Sequence, residues 1–133
     1  MKKKILILFS LTLSLVMFTE CKKDDKKYKV FFWGGRDMQG KTLTLFINDV
    51  NEGALPFIKD KVTCDNDSSK QKALLRELGT NRFNIKVRDD NGLIFTSGTL
   101  NIGKNSIGVD AGTSDFGTIE AESTGDCITV GLK

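Results

Sequence analysis

The sequence predicts an all-β protein, an antiparallel β-sandwich, and three observations carry that expectation. Aromatic-rich or alternating segments recur about every ten residues from Tyr28 to the C-terminus. The intervals between them are rich in Gly, Asn, Asp and Ser, the residues of tight turns. Only one proline, Pro56, interrupts the pattern.

The chain opens on a leader. Lys2, Lys3 and Lys4 are followed by an apolar run from Ile5 to Phe18, broken by Ser10, Thr12 and Ser14. That run has the length of a signal-peptide h-region and falls short of the ~20 residues of a spanning helix. Cys21 comes next, then the charged string Lys22-Lys23-Asp24-Asp25-Lys26-Lys27. A cysteine directly after an h-region resembles the lipobox of bacterial lipoproteins, with Phe18 standing where Leu is usual and Glu20 where a small residue is usual. Ordinary signal peptidase needs small residues in an A-x-A-like site, and the first alanine is Ala54. The Lys/Asp string resembles the tether of surface-exposed lipoproteins of Bacteroidota. The resemblance implies a signal peptide at 1–20, lipidation of Cys21, a tether at 21–27 and an outer-membrane, surface-exposed location. The alternative is a retained N-terminal anchor with a chance cysteine.

The remaining residues, 28–133, have the length of a single domain. Leader and tether hold seven lysines against Glu20, Asp24 and Asp25, so the 20 basic and 17 acidic residues of the chain become 13 and 14 from Tyr28 onward. A near-neutral domain has no sequence-independent pull on nucleic acid. With Cys21 assigned to lipid, Cys64 and Cys127 remain, and two cysteines in an exported domain are most simply a disulfide. Closing a loop of that size stabilises by about 4 kcal/mol in the chain-entropy account. A thiolate metal site needs more than two ligands, and the chain has no histidine.

Tyr28–Trp33 (YKVFFW) is the first strand, ended by Gly34-Gly35. Tyr28, Val30 and Phe32 face one way, Phe31 and Trp33 the other. Lys41–Asn48 (KTLTLFIN) alternates, with Leu43, Leu45 and Ile47 inward and Phe46 outward. Turn residues 48–53 precede Ala54–Ile58, where Pro56 marks an edge strand or its end. Residues 59–69 read as a loop held by Cys64. Propensity predicts one short helix at 68–78, capped by Ser68 and stopped by Gly79.

Arg82–Arg88 is a strand with Phe83, Ile85 and Val87 inward, joined to Leu93–Thr99 through Asp89-Asp90-Asn91-Gly92, where Asn-Gly predicts a type I′ turn. Ser106–Asp110 is a short strand and 111–115 a loop. Phe116–Glu122 and Asp126–Leu132 make a last hairpin across Ser123-Thr124-Gly125. Such spacing fits an antiparallel sandwich or barrel, and an Ig-like or prealbumin-like sandwich is the form expected.

Several of these features together resemble small β-sandwich domains of Bacteroidota lipoproteins. They are Trp33 closing an aromatic strand, Leu45 to Asp49 followed by Gly53 and Leu55, Cys64, Leu78-Gly79, Phe83 to Val87, and Cys127 before the last strand. The resemblance implies a strand rather than a helix at Lys72–Leu75 and a Cys64–Cys127 pair. Such domains carry no common activity.

Searching for chemistry returns little. Without histidine the commonest general base is absent. No G-x-S-x-G or phosphate loop occurs, and Gly34-Gly35 lacks the lysine and helix of one. Asp89-Asp90 falls in a turn, and Glu120 and Glu122 on the solvent face of a strand, so solvated carboxylates are the expectation rather than a glycosidase pair. Asp65-Asn66-Asp67-Ser68 lacks the spacing of a calcium loop and reads as solvated loop. Neither a metal site nor a cofactor is expected. Phe31, Trp33 and Phe46 could form an aromatic platform for sugars; cover by a second sheet or by residues 59–79 is the alternative that a two-layer fold favours. The function expected is therefore that of a non-catalytic binding or structural module held to the membrane by lipid. The candidate partners are a glycan, through the platform, or a protein, as for an inhibitor or immunity-type lipoprotein.

Overall fold

The computed structural model of the chain describes residues 26–111 and 118–133. The leader, Cys21 and most of the tether, together with 112–117, lie outside the described residues. Nine strands are described: β1 (Lys27–Gly34), β2 (Thr44–Ile47), β3 (Val50–Ala54), β4 (Leu74–Gly79), β5 (Asn81–Arg88), β6 (Ile94–Ile102), β7 (Ile107–Ala111), β8 (Ile119–Thr124) and β9 (Cys127–Leu132). One six-residue helix, α1 (Asp67–Lys72), and a 3-10 turn at Arg36–Met38 complete the list. The protein is all-β, with a four-stranded sheet ordered β4-β1-β9-β8 and a five-stranded sheet ordered β3-β2-β5-β6-β7.

Period-two alternation explains the core. Tyr28, Val30 and Phe32 of β1 join Ile128, Val130 and Leu132 of β9 in one buried cluster. The second sheet adds Leu45 and Ile47 of β2, Phe83, Ile85 and Val87 of β5, and Leu100 and Ile102 of β6 to that cluster. The inward sets expected on the second and fourth predicted strands are thus the ones buried.

Contrary to the expectation of antiparallel pairing throughout, β1 and β9 run parallel, with Val30 opposite Ile128 and Phe32 opposite Val130. Parallel neighbours need a long crossover, and here nearly the whole domain separates first strand from last. Local turn signals reveal only hairpins, so they cannot foresee this closure.

The stretch expected as a helix over 68–78 divides in two. Helix α1 ends at Lys72, and its cap is Asn66, whose side chain accepts from the Ser69 amide at 3.2 Å, rather than Ser68. From Leu74 the chain pairs antiparallel with β1, Leu78 opposite Tyr28 and Leu74 opposite Phe32. So short a helix is marginal alone, whereas the strand gains a ladder and packs Leu74 and Leu78 against the core. The strand implied at Lys72–Leu75 begins two residues later.

Two turns also differ from expectation. Asn48 (φ 50°) and Asp49 (φ 64°) form a two-residue hairpin turn, so β3 begins at Val50 and Pro56 falls beyond its end, rather than within a strand at 54–58. At 89–92 only Gly92 has positive φ, 79°, so the hairpin is present without a type I′ turn. The Asp89 carboxylate accounts for that shape by accepting from the amides of Asn91 and Leu93, both at 2.9 Å.

Candidate functional site

Phe31 and Trp33 project from the face of β1 opposite the main core, as alternation requires. That face is not open. Trp33 is only 3% exposed, in a small second cluster with Ile58 and Val62, against which Ala73 packs. The residues between β3 and β4 therefore act as a cover. Gly34 fixes one end of it, its amide donating to the Pro56 carbonyl at 2.8 Å and its carbonyl accepting from the Ile58 amide at 2.9 Å. Further along, Cys64 Sγ lies 2.14 Å from Cys127 Sγ at the start of β9, bonding distance for the disulfide, across a separation of 63 residues.

Beneath the indole lies Gly131, the parallel partner of Trp33. A Cβ at Gly131 would meet Trp33 Cζ2 at 2.6 Å and Cε2 at 2.9 Å, so only glycine admits the ring at this depth. The Trp33 Nε1 donor is buried without an acceptor among the described residues, a cost that the apolar contacts of the ring must outweigh.

Where the cover meets the ends of β1 and β9, a cleft of about 370 Å³ opens. Trp33 and Gly35 form its wall, and Arg36, Lys59, Lys61 and Lys133 bring four cations to it. Two of these are offset by the outward face of β8. Lys133 Nζ lies 2.9 Å from a Glu120 carboxylate oxygen, and Lys61 pairs with Glu122. The hydrogen bond to Glu122 raises the Lys61 ammonium above its ordinary pKa, so this lysine is a fixed charge rather than a nucleophile. Arg36 and Lys59 have no ion pair or side-chain hydrogen bond among the described residues. A neighbouring depression shares Lys59 and Lys61 with this cleft and adds Asp60, Asn66 and Lys72.

The residues expected to form an aromatic platform do not come together. Phe31 and Trp33 share a face of one sheet, but both are buried, and the Lys70 ammonium lies 5.7 Å from the Phe31 ring centroid. Phe46 belongs to the other sheet, where the Arg88 guanidinium lies 5.5 Å from its ring. Ile58, Val62 and Ala73 of the cover bury Trp33, and the division into two sheets keeps Phe46 apart from β1. Glu120 and Glu122 are exposed, as expected, and each is engaged by a lysine. Asp67 pairs with Lys70 at 2.9 Å and Asn66 caps α1, so the 65–68 stretch is spent on helix ends. Among the described residues no group of three or more His, Cys, Asp or Glu is placed to hold a metal.

Sequence reasoning missed Arg36, Lys59, Lys61 and Lys133. They come from three separate places in the chain, and no spacing rule links them. The arrangement can attract and orient an anion; among the described residues its lining side chains are an indole, three lysines and an arginine. Comparison of the chain with protein-family models, with curated proteins and with solved structures gives no significant match in any of the three. Among the described residues, no helix is long and apolar enough to cross a membrane.

Proposed function

We propose that the chain is a lipid-anchored module of the cell envelope that acts by binding rather than by catalysis. Its leader is a lipoprotein signal peptide, Cys21 is the lipidated residue, and the outer-membrane surface is its location. The folded part is an Ig-like or prealbumin-like sandwich, a reading supported by the core cluster common to both sheets. The observation that carries the functional reading is the cleft itself, which sets four cations beside the Trp33 indole and so favours the binding of an anion. A protein partner, of the kind an inhibitor or immunity protein would meet, is favoured by a different place. There Leu93 and Ile94 stand 66% and 43% exposed side by side after the 89–92 turn, an apolar contact point for such a partner.

The anchor is tested by metabolic labelling with a palmitate analogue. Wild type should be tagged and Cys21→Ser should not. Equal labelling of the two would remove the anchor.

A further inference from the structure

The class of ligand and its direction of approach follow from where the cleft sits. The tether enters the fold at Lys26, which pairs with Asp126 at 3.4 Å beside the first residue of β1. The cleft opens at the other end of the same strand, at Trp33 and Gly35. From Lys27 to Gly34 the strand spans about 23 Å at ~3.3 Å per residue. On the anchored reading, then, the cleft lies at the end of the domain away from the point of attachment.

Charge supplies the ligand chemistry. From Tyr28 onward the domain holds 13 basic and 14 acidic residues, yet one cleft gathers four of the cations. Glu120 and Glu122 offset Lys133 and Lys61, and hold those lysines in place. Arg36 and Lys59 form no ion pair among the described residues. Like charges in one concavity repel, and a low-dielectric wall such as the buried Trp33 strengthens their field at the opening. A planar guanidinium fork with an ammonium beside it suits an oxyanion, which accepts two or more charge-assisted hydrogen bonds.

We propose that the cleft is an oxyanion receptor at the membrane-distal end of the domain. It takes a carboxylate, phosphate or sulfate group borne by a ligand that arrives from outside, rather than the headgroups of the membrane that holds the anchor. This rests on the anchored binding-module reading for the direction and on the cleft alone for the chemistry.

Trp33 is the chain's single tryptophan and lines the cleft, so its emission reports on the site directly. The full chain in non-ionic detergent is titrated with sodium phosphate, sodium sulfate and sodium galacturonate at constant ionic strength. At least one should give a saturable change in Trp33 emission, and the three arms identify which oxyanion is taken. Arg36→Gln combined with Lys59→Gln should weaken that response about tenfold or more while leaving the thermal midpoint near that of wild type. Lys104→Gln, at the tether end, should leave it unchanged. No saturable response to any of the three salts, or equal affinity in the double variant, overturns the proposal. Vesicles of phosphatidylglycerol provide the opposing arm. Binding to them that is absent with phosphatidylcholine and lost in the double variant would assign the cleft to a membrane surface and overturn the distal direction. The titration needs no lipid on Cys21. Failed labelling with a successful titration therefore removes the direction and keeps the ligand class, and the converse result removes only the ligand class.

Discussion

Gly131→Ala probes the packing that closes the outer face of the four-stranded sheet. The new methyl would sit 2.6 Å from Trp33 Cζ2, 2.9 Å from Cε2 and 3.2 Å from Cη2. Carbon atoms at rest lie about 3.5–4.0 Å apart, so the indole must retreat by about 1 Å. Ile58 and Val62 pack with the ring, and the Cys64–Cys127 pair holds the cover in place. Overpacking of this kind costs about 1–3 kcal/mol, and replacing a strand glycine by alanine returns about 0.5–1 kcal/mol. The expected net loss is about 0–2.5 kcal/mol, centred near 1 kcal/mol, at about 4–8 °C of melting temperature for each kcal/mol. Trp33→Ala alone should cost about 3–5 kcal/mol. In that background the sign reverses: with no ring to strike, Gly131→Ala should be neutral or slightly stabilising. Urea unfolding followed by far-UV circular dichroism reads all four corners of the cycle, including those without tryptophan. An equal cost for Gly131→Ala with and without Trp33 would refute the contact as the reason for the glycine.

Two further outcomes are expected. Cys127→Ala should lower stability by about 4 kcal/mol, and mapping of a non-reduced wild-type digest should join the peptides of Cys64 and Cys127; two free thiols in exported protein would contradict both. Asp49, exposed at the first hairpin turn, is held below its ordinary pKa first by its hydrogen bond to Lys86 and then by that ammonium's charge. A carboxylate with a lowered folded-state pKa stabilises above its unfolded value and loses that contribution as pH falls through the folded one. The gap in urea midpoint between wild type and Asp49→Asn should therefore narrow below about pH 4, whereas a gap constant down to pH 2 would argue against the pair.

The sequence by itself determined most strand positions and the inward sets upon them. Alternation at Leu43, Leu45 and Ile47, and at Phe83, Ile85 and Val87, is set by neighbours two residues away and reads the same before and after folding. With Cys21 assigned to lipid, it also left Cys64 and Cys127 as the expected pair, and their sulfurs lie together in the fold. Which strand lies beside which was decided only in three dimensions. The parallel closure of β1 by β9, and the conversion of Leu74–Gly79 from helix to edge strand, each depend on a partner distant in the chain. The same holds for the site. Trp33 reads as an outward aromatic until a loop joined across 63 residues is laid over it. Arg36, Lys59, Lys61 and Lys133 become one cleft only because the chain's C-terminus, a 3-10 turn and that loop meet at one end of a sheet. Local pattern fixes which face a side chain leaves from; the contacts of remote segments decide what that face then meets.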